Sequence, residues 1–172
     1  RKQTMKDIIQ QSVEDSITAK KKFFAKHIKE IESCAYLMAT ALQGGRKILL
    51  FGNGGSAADC QHIAAEFVNR FQIERKPLPA IALTTDTSII TSIGNDYAYE
   101  DIFFKQIQAL GKKGDIALGI STSGNSPNVI KAVEEAKDIG ISIIGFSGNK
   151  GKLKTLSDIP FCVDSDTTAR TQ

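Results

Sequence analysis

Histidine, cysteine and surplus charge are all scarce in this sequence. There are 172 residues with two histidines, His27 and His62, and three cysteines, Cys34, Cys60 and Cys162. Widely spaced thiols in odd number, with no CxxC pair and no early apolar leader before them, argue against a disulfide framework. The expectation is a reducing, cytoplasmic compartment. Lys+Arg 22 against Asp+Glu 19 leaves a net charge of only +3, and the basic residues are scattered rather than massed on a stripe. Composition therefore gives no reason to expect a nucleic-acid partner. Every apolar run is broken by Gly, Ser or a charge within several residues, so no membrane span is expected. Repeats, low-complexity tracts and linkers are absent too. The length suits one domain with one core, spanning 1–172.

What is present is periodic. From Met5 to Leu42 the apolar residues Ile9, Val13, Ile17, Phe24, Ile28, Ile31, Ala35, Met38 and Leu42 recur at three- and four-residue steps, with no Pro or Gly. That spacing predicts a long N-terminal helical region over about 1–44, allowing one break. Gly44-Gly45 ends it, because glycine accepts the left-handed conformation of a C-terminal cap. Beyond it the period changes. "KILLFGNGGS" (47–56), "AIAL" (80–83), "DIALGIS" (115–121), "SIIGFS" (142–147) and "IPFCV" (159–163) each hold a short apolar run. Intervening segments are long enough for crossovers, which predicts a parallel sheet with helices on both faces. "ERKPLP" (74–79) is the one loop-like stretch with a shift in composition. At the end, "DTTARTQ" (166–172) offers cap residues and helix formers and then stops, so a C-terminal helix is expected to be missing.

Two stretches carry chemistry. Gly52-Asn53-Gly54-Gly55-Ser56-Ala57 satisfies G-x-G-x-x-A between a strand and a helix, and Ser56 is placed to cap that helix. A dinucleotide site also needs an acid at the end of the second strand, yet the nearest one, Asp86, sits past two threonines. A tight turn requiring glycine for backbone reasons alone is the plain alternative. The helix after it adds a different possibility. His62 and Glu66 are four residues apart on one face, a chelating spacing for Zn²⁺ or a similar ion, and Asp59 on that face could orient the imidazole. An exposed pair without a metal is the alternative, since two ligands do not make a site and His27 has no partner at chelating spacing.

The second stretch is "GISTSGNSPNVIKAVEEAK" (119–137). Ser121, Thr122, Ser123 and Ser126 set four hydroxyls around a glycine after an apolar strand, and Pro127 takes a first helical position. Free amides at a helix start together with hydroxyl donors make an anion site suited to a phosphate monoester. The bland reading is a serine-rich helix cap. No lysine follows the glycine, so this is not a nucleotide-triphosphate loop. Both loops fall at the carboxyl ends of parallel strands, the ligand face of an open α/β sheet. A phosphate anchor, a carboxylate base and a possible metal point to chemistry on a phosphorylated sugar.

"GNGGSAADCQHIAAEFVNRF", "ALTTDTSIITSIGNDY" (82–97) and "GISTSGNSPNVIKAVEEA" together closely resemble the phosphoheptose isomerases of the sugar isomerase, or SIS, domain superfamily. The likeness runs from about Gly45 to Gln172, and the long N-terminal helix fits it. It implies a flavodoxin-like three-layer α/β/α fold with a parallel sheet. It also implies a homotetramer with sites at subunit interfaces, and conversion of sedoheptulose 7-phosphate to D-glycero-D-manno-heptose 7-phosphate, the first step of bacterial ADP- or GDP-heptose biosynthesis, which feeds lipopolysaccharide. By resemblance, Ser121, Thr122, Ser123 and Ser126 hold the phosphate, and Asn53, Gly54, Gly55, Asn95 and Asp96 line the sugar. His62, Glu66 and Gln172 are metal ligands in members that bind zinc, with Glu66 also the acid/base that moves a proton between C1 and C2 through an enediol. Gln172 thereby touches both metal and substrate.

The family also carries a histidine on the C-terminal helix, a metal ligand and partner acid/base to Glu66, and this sequence ends before that position. A relative of another kind shares the fold: a non-catalytic scaffold that binds the replication initiator DnaA and lacks a carboxylate at the position of Glu66. Glu66 on the same helix face as His62 favours the enzyme. A sugar-phosphate-sensing regulator is disfavoured because no DNA-binding segment is attached.

Overall fold

The computed structural model describes residues 3–165 and 167–172. The first element, α1 (Met5–Gln43), is a single unbroken helix of 39 residues, about 58 Å long at 1.5 Å per residue. Thr4 and Asp7 start it with a reciprocal capping box: the Thr4 hydroxyl accepts from the Asp7 amide at 3.2 Å and the Asp7 carboxylate accepts from the Thr4 amide at 2.9 Å. At the other end Gly45 takes φ +72°, the Gly45 amide donates to Leu42 and the Arg46 amide donates to Ala41. This pairing satisfies carbonyls that the helix end leaves open. The left-handed residue is the second of the two glycines.

Five strands follow: β1 (Ile48–Gly52), β2 (Ala80–Ala82), β3 (Ile116–Ser121), β4 (Ser142–Gly148) and β5 (Ile159–Val163). All pair in parallel, in the order β2-β1-β3-β4-β5. The helices between them are α2 (Gly55–Val68), α3 (Thr87–Asp96), α4 (Phe104–Leu110), α5 (Pro127–Ile139) and α6 (Lys152–Leu156), and a short α7 (Thr168–Thr171) comes last. Asp166, the first residue of the segment expected to open that last helix, lies outside the described residues.

The apolar runs form strands because both faces of the sheet are covered. In β1, Ile48 and Leu50 face one cluster while Leu49 and Phe51 face the other, the two-residue alternation of an extended chain. The first cluster packs under α2 and the C-terminal half of α1, through Ile31, Leu37, Met38 and Leu42. The second packs under α4 and α5, through Ile107, Val129, Val133 and Ala136. Shortening a fully buried side chain such as Leu49 to Ala would cost about 2–5 kcal/mol. His27 docks α1 onto β5: its Nε2 lies 3.2 Å from the Cys162 carbonyl, and its ring packs in a three-ring cluster with Phe23 and Phe161. His27 is thus a packing residue, and its Nδ1 is buried with no partner among the described residues.

Strand order 2-1-3-4-5 reverses direction between β1 and β3, and the crevice at such a switch point is where open α/β sheets bind ligands. Both loops singled out in the sequence emerge there.

Candidate active site at the switch point of the sheet

The loop after β1 turns at Gly54, whose φ of +58° and ψ of −122° suit glycine alone. That turn starts α2 at Gly55, earlier than the sequence suggests. Ser56 is consequently no cap: it sits buried inside the first turn, and Gly54 flanks the helix without a side-chain hydrogen bond. The helix thus starts at the carboxyl end of β1, where the positive end of its dipole lies, with the Ser56 and Ala57 amides donating to the Asn53 and Gly54 carbonyls. Asp86, the acid a dinucleotide site would have needed, instead caps α3 by accepting from the Ile89 amide at 2.9 Å.

The loop after β3 is internally organised. Ser121 Oγ lies 2.8 Å from Ser126 Oγ and 3.4 Å from Ser123 Oγ, and it accepts from the Ser126 amide at 3.4 Å. Pro127 occupies the start of α5 as the sequence predicts. Ser126, just before it, makes no capping bond to the helix, because its hydroxyl is turned to Ser121. Three hydroxyls and the amide end of a thirteen-residue helix therefore converge, a neutral cradle for an anion.

An amide pair joins the two loops. Asn53 Nδ2 donates to Asn128 Oδ1 and Asn128 Nδ2 donates to Asn53 Oδ1, both at 2.9 Å. The Tyr99 hydroxyl donates to the same Asn53 oxygen at 3.3 Å. Asn128 is buried, so this reciprocal bond is shielded and fixes the spacing of the two ligand loops. Sequence reading missed Asn128 and Tyr99. Asn53, expected to line the sugar, has most of its side-chain bonding capacity committed here, which leaves one side-chain N–H and its backbone for a ligand.

On α2, His62 Nε2 lies 3.2 Å from Glu66 Oε1, with the side chains 75% and 36% exposed. This open pair supplies a ring nitrogen and a carboxylate oxygen side by side. His62, Asp59 and Ser56 line a cavity of about 310 Å³ bordered also by Thr122, Phe146, Phe161, Thr171 at the end of α7 and Gln172 just after it. His62 has Glu66 as its partner; Asp59 shares the cavity without bonding the imidazole. Glu66 lines a neighbouring cavity with Ile63, Phe67, Phe71 and Arg75, and Ile63 belongs to both. The pair thus straddles a ridge, and Gln172 approaches only the His62 side. Among the described residues no group of three or more His, Cys, Asp and Glu side chains gathers closely enough to hold a metal ion. Asn95 and Asp96 stay at the exposed end of α3, bonded to each other at 2.8 Å, outside the 310 Å³ cavity.

Cys60, beside Gln61 on this helix, is fully buried, and burial chiefly, with the Asp59 charge adding, pushes its thiol up to about 12. It packs against the sheet and is no nucleophile. Arg75, in the loop-like stretch of the sequence, was not foreseen as part of the site; its guanidinium donates to the backbone carbonyls of Glu66 and Phe67.

A parallel 2-1-3-4-5 sheet with a hydroxyl cradle at its switch point, and a His–Glu pair farther along the helix that leaves the neighbouring loop, is the arrangement of an α/β protein that binds its ligand at the carboxyl ends of its strands. The SIS domain profile matches residues 13–148. The phosphoheptose isomerase of Clostridium acetobutylicum is 52% identical over 98% of this chain and 87% of its own length. Among solved structures, phosphoheptose isomerase from Francisella tularensis superposes with a TM-score of 0.93 at 41% identity, covering 98% of this chain and 90% of that one. The enzyme from Neisseria gonorrhoeae gives 0.90 at 42% identity with the same coverage. The chain belongs to the phosphoheptose isomerase family of SIS domain proteins.

Proposed function

We infer that the chain is an aldose–ketose isomerase that converts sedoheptulose 7-phosphate to D-glycero-D-manno-heptose 7-phosphate, the opening step toward nucleotide-activated heptose and bacterial surface glycans. The observation that carries this reading is a hydroxyl cradle at the switch point together with a His–Glu pair on the helix that leaves the neighbouring loop, in a chain 52% identical to a named phosphoheptose isomerase.

Ser121, Thr122, Ser123 and Ser126 hold the phosphate, and the amides of Gly54 and Gly55 face the sugar. Glu66 takes a proton from C1 of the ketose. The electron pair of that C–H bond forms the C1=C2 double bond, and the C2 oxygen takes up a proton, giving the enediol. Return of a proton to C2, with loss of the O1 proton, leaves the aldehyde at C1. A half-exposed carboxylate on a helix suits this shuttle because it meets substrate without moving backbone.

His62 and Glu66 present a nitrogen and an oxygen that fit one edge of a zinc coordination sphere, and Gln172 would add a third donor. When bound, zinc would polarise the substrate oxygens. Full closure of such a site, and the placement of Asn95 and Asp96 on sugar, would come from a second copy of the chain. A homotetramer is supported by the exposed apolar stripe of α1, with Ile9 57%, Phe24 54% and Ile28 60% exposed, and by Phe71 and Ile73 beyond α2. A cytoplasmic location is supported by three unpaired cysteines. No helix among the described residues is long and apolar enough to cross a membrane.

The scaffold reading, binding to DnaA without catalysis, gains no support, since Glu66 is present and the relatives described above are named as isomerases. The test is turnover of sedoheptulose 7-phosphate alongside light scattering. An active tetramer is expected; a tetramer without turnover would return the weight to a scaffold.

A further inference from the structure

Helix α2 ends at Val68, and its last carbonyls have no partners inside the helix. No left-handed glycine closes it: the flanking residue is Asn69, at φ −86° and ψ −99°. Arg75 does the work instead. Its Nη2 donates to the Glu66 carbonyl at 2.6 Å and its Nη1 to the Phe67 carbonyl at 2.7 Å, with longer contacts to the carbonyls of Asn69 and Lys76, both at 3.3 Å. A planar guanidinium can bridge several carbonyls at once, and a cation at this end meets the negative pole of the helix. The same fork ties the irregular stretch before β2 to the helix, where the Leu78 amide also donates to the Phe67 carbonyl at 3.1 Å.

One of those bonds is to the peptide group of Glu66 itself. The Glu66 side chain projects from the last full turn of α2, a turn that would fray without a cap. Arg75 and Glu66 moreover line the same cavity of about 300 Å³. We propose that Arg75 is a positioning residue for the isomerisation: by clamping the final turn of α2 it fixes the aim of the Glu66 carboxylate at the substrate carbon. The proposal rests on the isomerase reading above. Misplacement of a reacting group by about 1 Å can cost about a hundredfold in rate, so the clamp acts on the proton-transfer step and leaves the distant phosphate cradle alone.

The test uses the full chain. Arg75→Met keeps an unbranched apolar stem and removes every donor; Arg75→Lys keeps the charge but replaces the fork with a single nitrogen. Four readouts are taken: kcat and KM for sedoheptulose 7-phosphate, the isotope effect on kcat with the ketose deuterated at C1, thermal melting with light scattering, and amide hydrogen exchange. In Arg75→Met, kcat should fall about ten- to a hundredfold with KM within about twofold, and Arg75→Lys should recover part of the loss. The isotope effect should rise, because proton transfer becomes slower relative to binding and release. A smaller folded fraction would leave it unchanged. Amides 66–70 should exchange faster while those of β3 keep their protection. Unchanged kcat and isotope effect in a variant whose parent is active would overturn the positioning role alone. A wild-type chain that fails to turn over the ketose would overturn the isomerase reading, and the positioning role with it, whatever the exchange shows.

Discussion

The two ligand loops of this protein are finished to different degrees. The loop after β3 is complete within one chain: Ser121 bonds to Ser126 and Ser123, α5 starts behind them, and Asn128 pins the assembly to Asn53. The chemical side, on α2, is open, with His62 exposed and Glu66 half-exposed, lining two neighbouring cavities and paired with each other. A phosphate is the same in every turnover, so its cradle can be fixed in advance, whereas the reacting carbons need groups that approach from more than one side. The cradle is therefore built by the fold of one chain, whereas the His62–Glu66 pair is left open by it.

Substitutions on the two sides should separate in kind. The largest effect is expected for Glu66→Gln, which keeps shape and loses the base: kcat should drop by about 10²–10⁴-fold with KM little changed. A smaller loss would mean that another group moves the proton. Ser121→Ala comes next. It removes the centre of the hydroxyl cluster, and hydrogen bonds to a charged group are worth about 1.5–3 kcal/mol, so KM should rise roughly 10- to 100-fold while kcat holds. A fall in kcat instead would erase the division between anchor and chemistry. Asn128→Leu leaves the Asn53 amide short of its partner and should lower stability by about 1–3 kcal/mol, read as an earlier urea midpoint, together with a modest rise in KM. The smallest effect is expected at Cys60. With its thiol pushed up to about 12, alkylation at pH 8 should leave both Cys60 and activity untouched until the protein unfolds.

The sheet was legible because its strands are buried on both faces. Runs such as "ILLFG" and "IALGIS" have no charged residue to confuse them, and all five became strands at the expected places. The end of α1 at Gly44-Gly45 and Pro127 at the start of α5 were legible as well, because caps are local chemistry. The hydroxyl loop could be read for the same reason. What escaped was tertiary. The Asn53–Asn128 pair joins residues 75 apart in sequence, and nothing local marks either asparagine as the other's partner. Arg75 reads as one more charge in a loop until the chain folds back under α2. Ser56 looked like a cap because it follows a glycine turn, yet the positive φ at Gly54 starts the helix earlier and buries that hydroxyl. The exposed stripe of α1 was visible as periodicity, but only the fold shows that, among the described residues, its stretch before Phe23 packs against neither core cluster.

The most direct measurement is turnover of sedoheptulose 7-phosphate by the assembled wild-type protein, with Glu66→Gln run beside it and with zinc added or chelated. The account predicts conversion to the aldose phosphate by the wild type and its near abolition by the substitution, and the chelator arm decides whether metal is required. Equal conversion by both proteins, or none by a wild type that still binds the phosphorylated sugar, would contradict the assignment of Glu66 as the group that moves the proton.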